Sequence, residues 1–219
     1  MCGIIASKSI KKFKELVLLN QSRGTFSHSL TMLQYDDTNK HILDKSIYRQ
    51  FGEFNFKVFD GVSDDLKNIY LIGHVQAPTR GLVKDYQRIH PSNVADSSYM
   101  YHNGILKSKY IKEYIVKDGY ARDVWDTELL NNNIYKYGFD HLSKVYGSFA
   151  CLLLQDDNLY AFRNNNSIIY YDDQLSFSSV KFDNSFELIS GEVFKLDLTN
   201  NSLIGRHQFK LLDNYYVEI

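Results

Sequence analysis

Hydrophobic residues along this chain recur with two different periods, and the switches between them lay out the elements. Residues 2–7 (CGIIAS) are a short apolar run that predicts a strand beginning at the second residue. Phe13, Leu16, Val17 and Leu19 then fall at helical spacing and predict a helix over 10–20. Residues 29–35 alternate as a strand does, and 36–46 are polar and read as a turn or loop. The stretch FNFKVF at 54–59 alternates and predicts a strand. IYLIGHV at 69–75 reads as a buried strand, and 76–98, with both prolines, as a long loop. A strand resumes at 99–102 (YMYH), and the pair Asn103-Gly104 is expected to end it in a turn. Helices are expected at 107–117 and 126–137. Strands follow at 148–155, 158–163, 167–171, 175–179, 192–198 and 202–209, with Asn, Asp and Gly between them. Strands, a helical middle and more strands predict a single α+β domain over 1–219, with largely antiparallel sheets covered by helices.

Composition narrows the function. Hydrophobic residues make up 44% of 219, enough for a sizeable core. The formal net charge of -1 gives no electrostatic footprint for nucleic acid or an acidic membrane surface. No apolar run approaches the roughly 20 residues that cross a bilayer, and the N-terminus does not read as a signal peptide. Cys2 and Cys151 have no metal-ligand spacing and make no disulfide framework, so a reducing, cytoplasmic setting is expected. Cys151 lies in an apolar strand and reads as core. No metal or organic cofactor is expected.

The candidate chemistry starts at Met1-Cys2-Gly3. Removal of Met1 would leave Cys2 with a free α-amine beside its own thiol. An α-amine titrates near pH ~7.7–8.0, so one residue can supply both nucleophile and base. Cys2 alone is also an ordinary first-strand residue. Further segments accompany it: Arg23-Gly24, GHVQAPTRG at 73–81, HNGI at 102–105, DTE at 126–128, GSFA at 147–150 and GEVFKLDL at 191–198.

In this order, from residue 2 to about residue 200, the chain resembles the class II glutamine amidotransferases, the N-terminal-nucleophile (Ntn) glutaminases. The resemblance implies a four-layer αββα sandwich of two antiparallel sheets and hydrolysis of the side-chain amide of L-glutamine to glutamate and ammonia. It assigns Asn103 and Gly104 to an oxyanion hole, through the side-chain amide and the backbone N–H. It places Asp126 on the substrate's ammonium, where a carboxylate gives a charge-assisted hydrogen bond; the same residue also suits a helix N-cap. Arg23 matches an arginine beside the catalytic cysteine, and Thr79 a pocket residue. Gln76 stands where the family carries an arginine for the substrate carboxylate. A neutral amide is a poor substitute for a guanidinium, so Arg80 or Arg23 is the candidate replacement. His74 reads as structural.

The resemblance also implies a partner. The chain has no Gly-rich phosphate loop, so a separate synthetase or ligase subunit is expected to take the ammonia. Two alternatives stay open: an Ntn-type amidohydrolase for another amide, and a non-catalytic subunit that keeps the scaffold.

Overall fold

A computed structural model describes residues 2–37, 42–63, 67–77 and 85–212. Its first strand, β1 (Gly3–Ser7), is wholly buried and leads into helix α1 (Ile10–Gln21). Ser9 caps α1 by accepting from the Lys12 N–H at 3.2 Å, a contact typically worth ~1 kcal/mol. The buried stripe Ile10, Phe13, Leu16, Val17 and Asn20 fixes which face of α1 packs down. Strands β2 (Ser27–Tyr35), β3 (Ile42–Phe51) and β4 (Ile69–Gln76) follow. Then come β5 (Ser92–Val94), β6 (Ser98–Leu106) and helices α2 (Ser108–Asp118) and α3 (Asp126–Tyr137). The chain continues through β7 (Gly147–Gln155), β8 (Asn158–Arg163) and the two-residue strands β9 (Tyr170–Tyr171), β10 (Phe177–Ser178) and β11 (Phe186–Glu187). It closes with β12 (Glu192–Asp197) and β13 (Ser202–Gln208).

These strands make two antiparallel sheets. One has the order β11-β9-β10-β1-β4-β2-β3, the other β13-β12-β8-β7-β6-β5. The pleat sorts their side chains. Ile4, Ala6, Leu33, Tyr70 and Ile72 of the first sheet meet Tyr99, Tyr101, Ala150, Leu152 and Leu154 of the second in one apolar cluster between the sheets. The opposite face of the first sheet (Ile5, Leu30, Leu71, Val75) packs on Phe13, Leu16 and Val17 of α1. The opposite face of the second (Met100, Cys151, Leu153) packs on Tyr110, Leu129 and Ile134 of α2 and α3. The layers are α, β, β, α: an α+β sandwich of the Ntn-hydrolase type. Cys151 is fully buried in the core.

The structure redraws several elements, and strand β5 lies inside the stretch 76–98 read as loop. Residues 56–59 form a single 3-10 turn, not a strand. Asn55 caps it by accepting from the Lys57 N–H, and Phe54 and Phe59 turn inward onto the Phe13 ring at 5.9 and 5.8 Å. The polar residues 42–46, read as loop, open the edge strand β3, where Asp44 and Ser46 face solvent and Lys45, on the other face, lies over the Tyr99 ring at 4.7 Å. Asn103-Gly104 is not a turn. β6 runs straight through the pair, opposite Ala150 and Phe149 of β7.

Candidate active site

The period-two pattern that builds the inter-sheet core also builds the site. Cys2 has the parity of Ile4 and Ala6, and Asn103 that of Tyr99 and Tyr101, so both belong to the inter-sheet face, one step beyond the apolar cluster. Both are buried, at 9% and 6% relative exposure. Ser179, just past β10, joins them. Its Oγ accepts from the Ile4 N–H at 3.0 Å and from Asn103 Nδ2 at 3.3 Å, and its own N–H donates to the Ile4 carbonyl at 3.0 Å. One hydroxyl thus ties the strand that begins at Cys2 to the amide of Asn103. An amide nitrogen has two N–H donors, so the second is left to point elsewhere.

Gly104 is held more tightly than its neighbours. A Cβ there would lie 2.0 Å from the Ser148 carbonyl oxygen and 2.6 Å from His102 Nε2, so only glycine fits. The residue opposite it, Phe149, spends both backbone groups on Asn164: its N–H donates to Asn164 Oδ1 and its carbonyl accepts from Asn164 N–H. In an antiparallel ladder, opposed residues outside the bonded pairs point their amides away from each other. The Gly104 N–H therefore lies on the far edge of β6, beyond the last pairing to β5 at Ser98–Met100.

Charged groups converge on Cys2 from two elements. Arg23, after α1, donates Nε–H to the Cys2 carbonyl at 2.7 Å. The next residue explains how it gets so close. A Cβ on Gly24 would sit 2.3 Å from the Gln76 carbonyl carbon, so glycine alone lets this turn lie against the end of β4. Asp126 opens α3, with Trp125 rather than Asp126 in the cap position. Its Oδ1 accepts from Thr127 N–H at 2.9 Å and its Oδ2 from Leu106 N–H at 3.3 Å, which fixes the helix start to β6. Burial pushes the Cys2 thiol above its usual range, and Asp126 adds to the rise. A hydrogen bond from Sγ to the Ala77 carbonyl at 3.8 Å and the charge of Arg23 oppose it. The resting group is a protonated thiol that needs a base to become nucleophilic.

Gln76 is anchored at both ends of its amide by the protein. Its Oε1 accepts from Ser27 Oγ at 3.1 Å, and its Nε2 donates to the Arg88 carbonyl at 3.2 Å. Thr79 and Arg80 lie outside the described residues. A layer of neutral histidines underlies the site. His74 Nε2 meets the His102 carbonyl at 3.1 Å, and its ring stacks on His90 at 3.6 Å. Thr127 Oγ1 bridges His90 Nε2 at 3.3 Å and His102 Nδ1 at 3.1 Å. Burial pushes His74 down to about 3 and His90 and His102 below their usual range. They form one buried layer, and Trp125 packs against it, 4.5 Å from His90. Sequence reading missed Ser179, Thr127 and His90. Thr127 carried a signal, since it adjoins Asp126 in the DTE segment; Ser179 carried none, because a serine at a strand end is commonplace.

Among the described residues no cluster of three or more His, Cys, Asp or Glu is placed to hold a metal, and no helix is long and apolar enough to cross a membrane. The site as built can present a thiol, two amide donors and a carboxylate to a small polar molecule.

No protein-family model and no curated protein matches the sequence. Solved structures do. Glutamine phosphoribosylpyrophosphate amidotransferase from B. subtilis, in complex with ADP and GMP, superposes with a TM-score of 0.66 at 20% identity, over 96% of this chain and 49% of that one. A structure of the allosteric regulatory enzyme of purine biosynthesis gives 0.66 at 18% identity, over 97% and 50%. The chain spans about half the length of either. It thus shares the αββα sandwich fold of these two structures.

Proposed function

We propose that the protein is a glutamine-hydrolysing amidotransferase domain, spanning residues 1–219, in which Cys2 is the nucleophile once Met1 is removed. The observation that carries this reading is the Ser179 hydroxyl, which fastens the strand starting at Cys2 to the Asn103 amide at the polar end of the inter-sheet gap. The α-amine of processed Cys2 takes the thiol proton, and the thiolate attacks the carboxamide carbon. The carbonyl electron pair moves onto oxygen, where Asn103 Nδ2–H and the Gly104 N–H stabilise it; one such donor is typically worth ~2.7–4 kcal/mol. Collapse breaks the C–N bond, and the leaving nitrogen takes the proton back from the α-ammonium as ammonia departs. Water, deprotonated by the same amine, cleaves the γ-glutamyl thioester to glutamate and restores the thiol. Asp126 holds the substrate ammonium and Arg23 steadies the Cys2 backbone. Two free thiols suit a reducing cytosol. A separate synthetase subunit receives the ammonia.

Gln76 supports a second reading, an amidase for a different amide. Both ends of its side chain are anchored, on Ser27 and Arg88, which leaves at most one neutral N–H and no charge for a substrate carboxylate. Arg80 or Arg23 then supplies that contact in the first reading, and the second reading does without it.

Labelling with the glutamine analogue diazo-oxo-norleucine, followed by mass spectrometry, tests the assignment. We expect modification at Cys2 in protein that has lost Met1, and none in Cys2→Ala, which also loses all ammonia release. Modification at Cys151 would sink the site. Release of ammonia from other amides but not from glutamine would select the second reading.

A further inference from the structure

A second concavity lies where β3 and β5, edge strands of the two sheets, approach the first turn of α3. Its volume is about 540 Å³, within the usual range of small-molecule sites, roughly 300–1,000 Å³. The residues that matter in its wall are Arg49, Tyr86, Gln87, Asn93, Trp125 and Glu128. Cys2, Asn103 and Asp126 are not among them.

Arg49 is the anomaly. Its guanidinium is half-buried and held rigid, with Nε–H donating to the Ile89 carbonyl at 2.9 Å and Nη2 to the Pro91 carbonyl at 2.8 Å. Those bonds use two of its five N–H donors. It has no carboxylate partner among the described residues. Burial lowers its pKa, and only the phenols of Tyr101 and Tyr99 pull the other way. A charge removed from water without a counter-charge is costly, and a rigid guanidinium fork is shaped for a carboxylate or phosphate. The rest of the wall describes what carries that anion. Tyr86 and Trp125 bring two rings, each braced by one edge contact, to Phe51 at 4.6 Å and to His90 at 4.5 Å. Exposed Glu128 supplies an acceptor in the same wall.

We propose that this cleft binds a nucleoside monophosphate, with the phosphate on Arg49, the base against the rings of Trp125 and Tyr86, and ribose hydroxyls on Glu128. The proposal stands apart from the amide chemistry and needs none of it. A phosphate alone forgoes the rings, and a nucleoside alone forgoes the guanidinium, so each binds weakly.

The chain has one tryptophan, and it is in this wall, so its fluorescence reports occupancy directly. The full chain is titrated with AMP, GMP and UMP, and with adenosine and inorganic phosphate as controls. A saturable change with at least one nucleotide is expected, at a Kd at least tenfold below those of both controls. Arg49→Gln raises that Kd at least tenfold. Because Arg49 also clamps the chain at Ile89 and Pro91, a second variant guards against misfolding. Gln87→Glu, at an exposed residue on the rim, places a negative charge in the cleft and weakens binding at least threefold. No saturable change with any nucleotide, equal binding of adenosine, or nucleotide binding unaltered in Gln87→Glu would each overturn the proposal.

Discussion

The space between the two sheets has two ends of opposite character. At one, Ile4, Ala6, Leu33, Tyr70 and Ile72 face Tyr99, Ala150, Leu152 and Leu154 in a dry cluster. At the other, the same strands continue in the same parity as Cys2, Ser27, Ser29, His74, Gln76 and Asn103, all but Gln76 buried. Burying polar atoms is costly unless each finds a partner, and at this end most do: Gln76 with Ser27 and Arg88, His74 with the His102 carbonyl, Asn103 with Ser179. The difference teaches that one pleat period serves both core and site. Crossing from one to the other takes only a change of residue type along β1, β2, β4 and β6. It follows that changes at the apolar end should move stability and leave rate per folded molecule alone, and that changes at Cys2, Asn103 and Ser179 should do the reverse.

The largest expected effect tests the apolar end. Ile72→Ala, at a fully buried position, should cost about 2–5 kcal/mol of unfolding free energy. The kcat and KM of the remaining folded protein should stay within twofold. Denaturant titration beside steady-state ammonia release reads both, and a matching loss of kcat would erase the distinction between the ends. The next tests the polar end. Asn103→Ala should lower kcat by about 10²–10³ while the denaturation midpoint changes little. Unchanged kcat would remove Asn103 from the oxyanion role.

How much of this was legible in the sequence follows the same divide. The long strands at 69–75 and 148–155 and the helix of Phe13, Leu16 and Val17 could be read, because period and burial agree there. FNFKVF misled, because its alternation is equally served by a capped 3-10 turn that packs Phe54 and Phe59 on Phe13. Asn103-Gly104 misled for a different reason. A glycine forced by the Ser148 carbonyl at 2.0 Å looks, in sequence, like one chosen for a turn. Cys2, Asn103 and Asp126 were singled out through their resemblance to a family pattern. The supports, Ser179, His90 and Thr127, come from distant segments, and only the fold brings them together.

The histidine layer sharpens the comparison through pH. His74 falls from an ordinary 6.5 to about 3 on folding, chiefly by burial. Its folded pKa lies below its unfolded one, so the unfolded chain binds the extra proton between those values. The neutral layer's stability is therefore fully present above pH 6.5 and is lost as pH falls towards 3. His74 alone should contribute a slope of about 1.4 kcal/mol per pH unit in that window, with His90 and His102 adding in the same direction. Unfolding free energies measured from pH 7 to 4 should show it, and His74→Gln should flatten the slope by close to one proton. An unchanged slope would mean that the layer is not what makes the polar end acid-sensitive.

The smallest effect separates a group that positions the site from one that merely fills space. Ser179→Ala removes the hydroxyl shared by the Ile4 N–H and Asn103 Nδ2. The Asn103 amide is then free to rotate, and the oxyanion that forms only in the transition state loses a fixed donor. We expect kcat to fall about tenfold, roughly 1.4 kcal/mol, with KM nearly unchanged, since the ground state does not use that donor. Ser179→Thr, which keeps the hydroxyl, should recover most of the loss. If Ser179 acts through Asn103, Ser179→Ala should cost nothing further in an Asn103→Ala background, because groups that act as one unit are not additive. Additive losses would make Ser179 a packing residue at the end of β10, and the polar end would owe its order to the histidine layer alone.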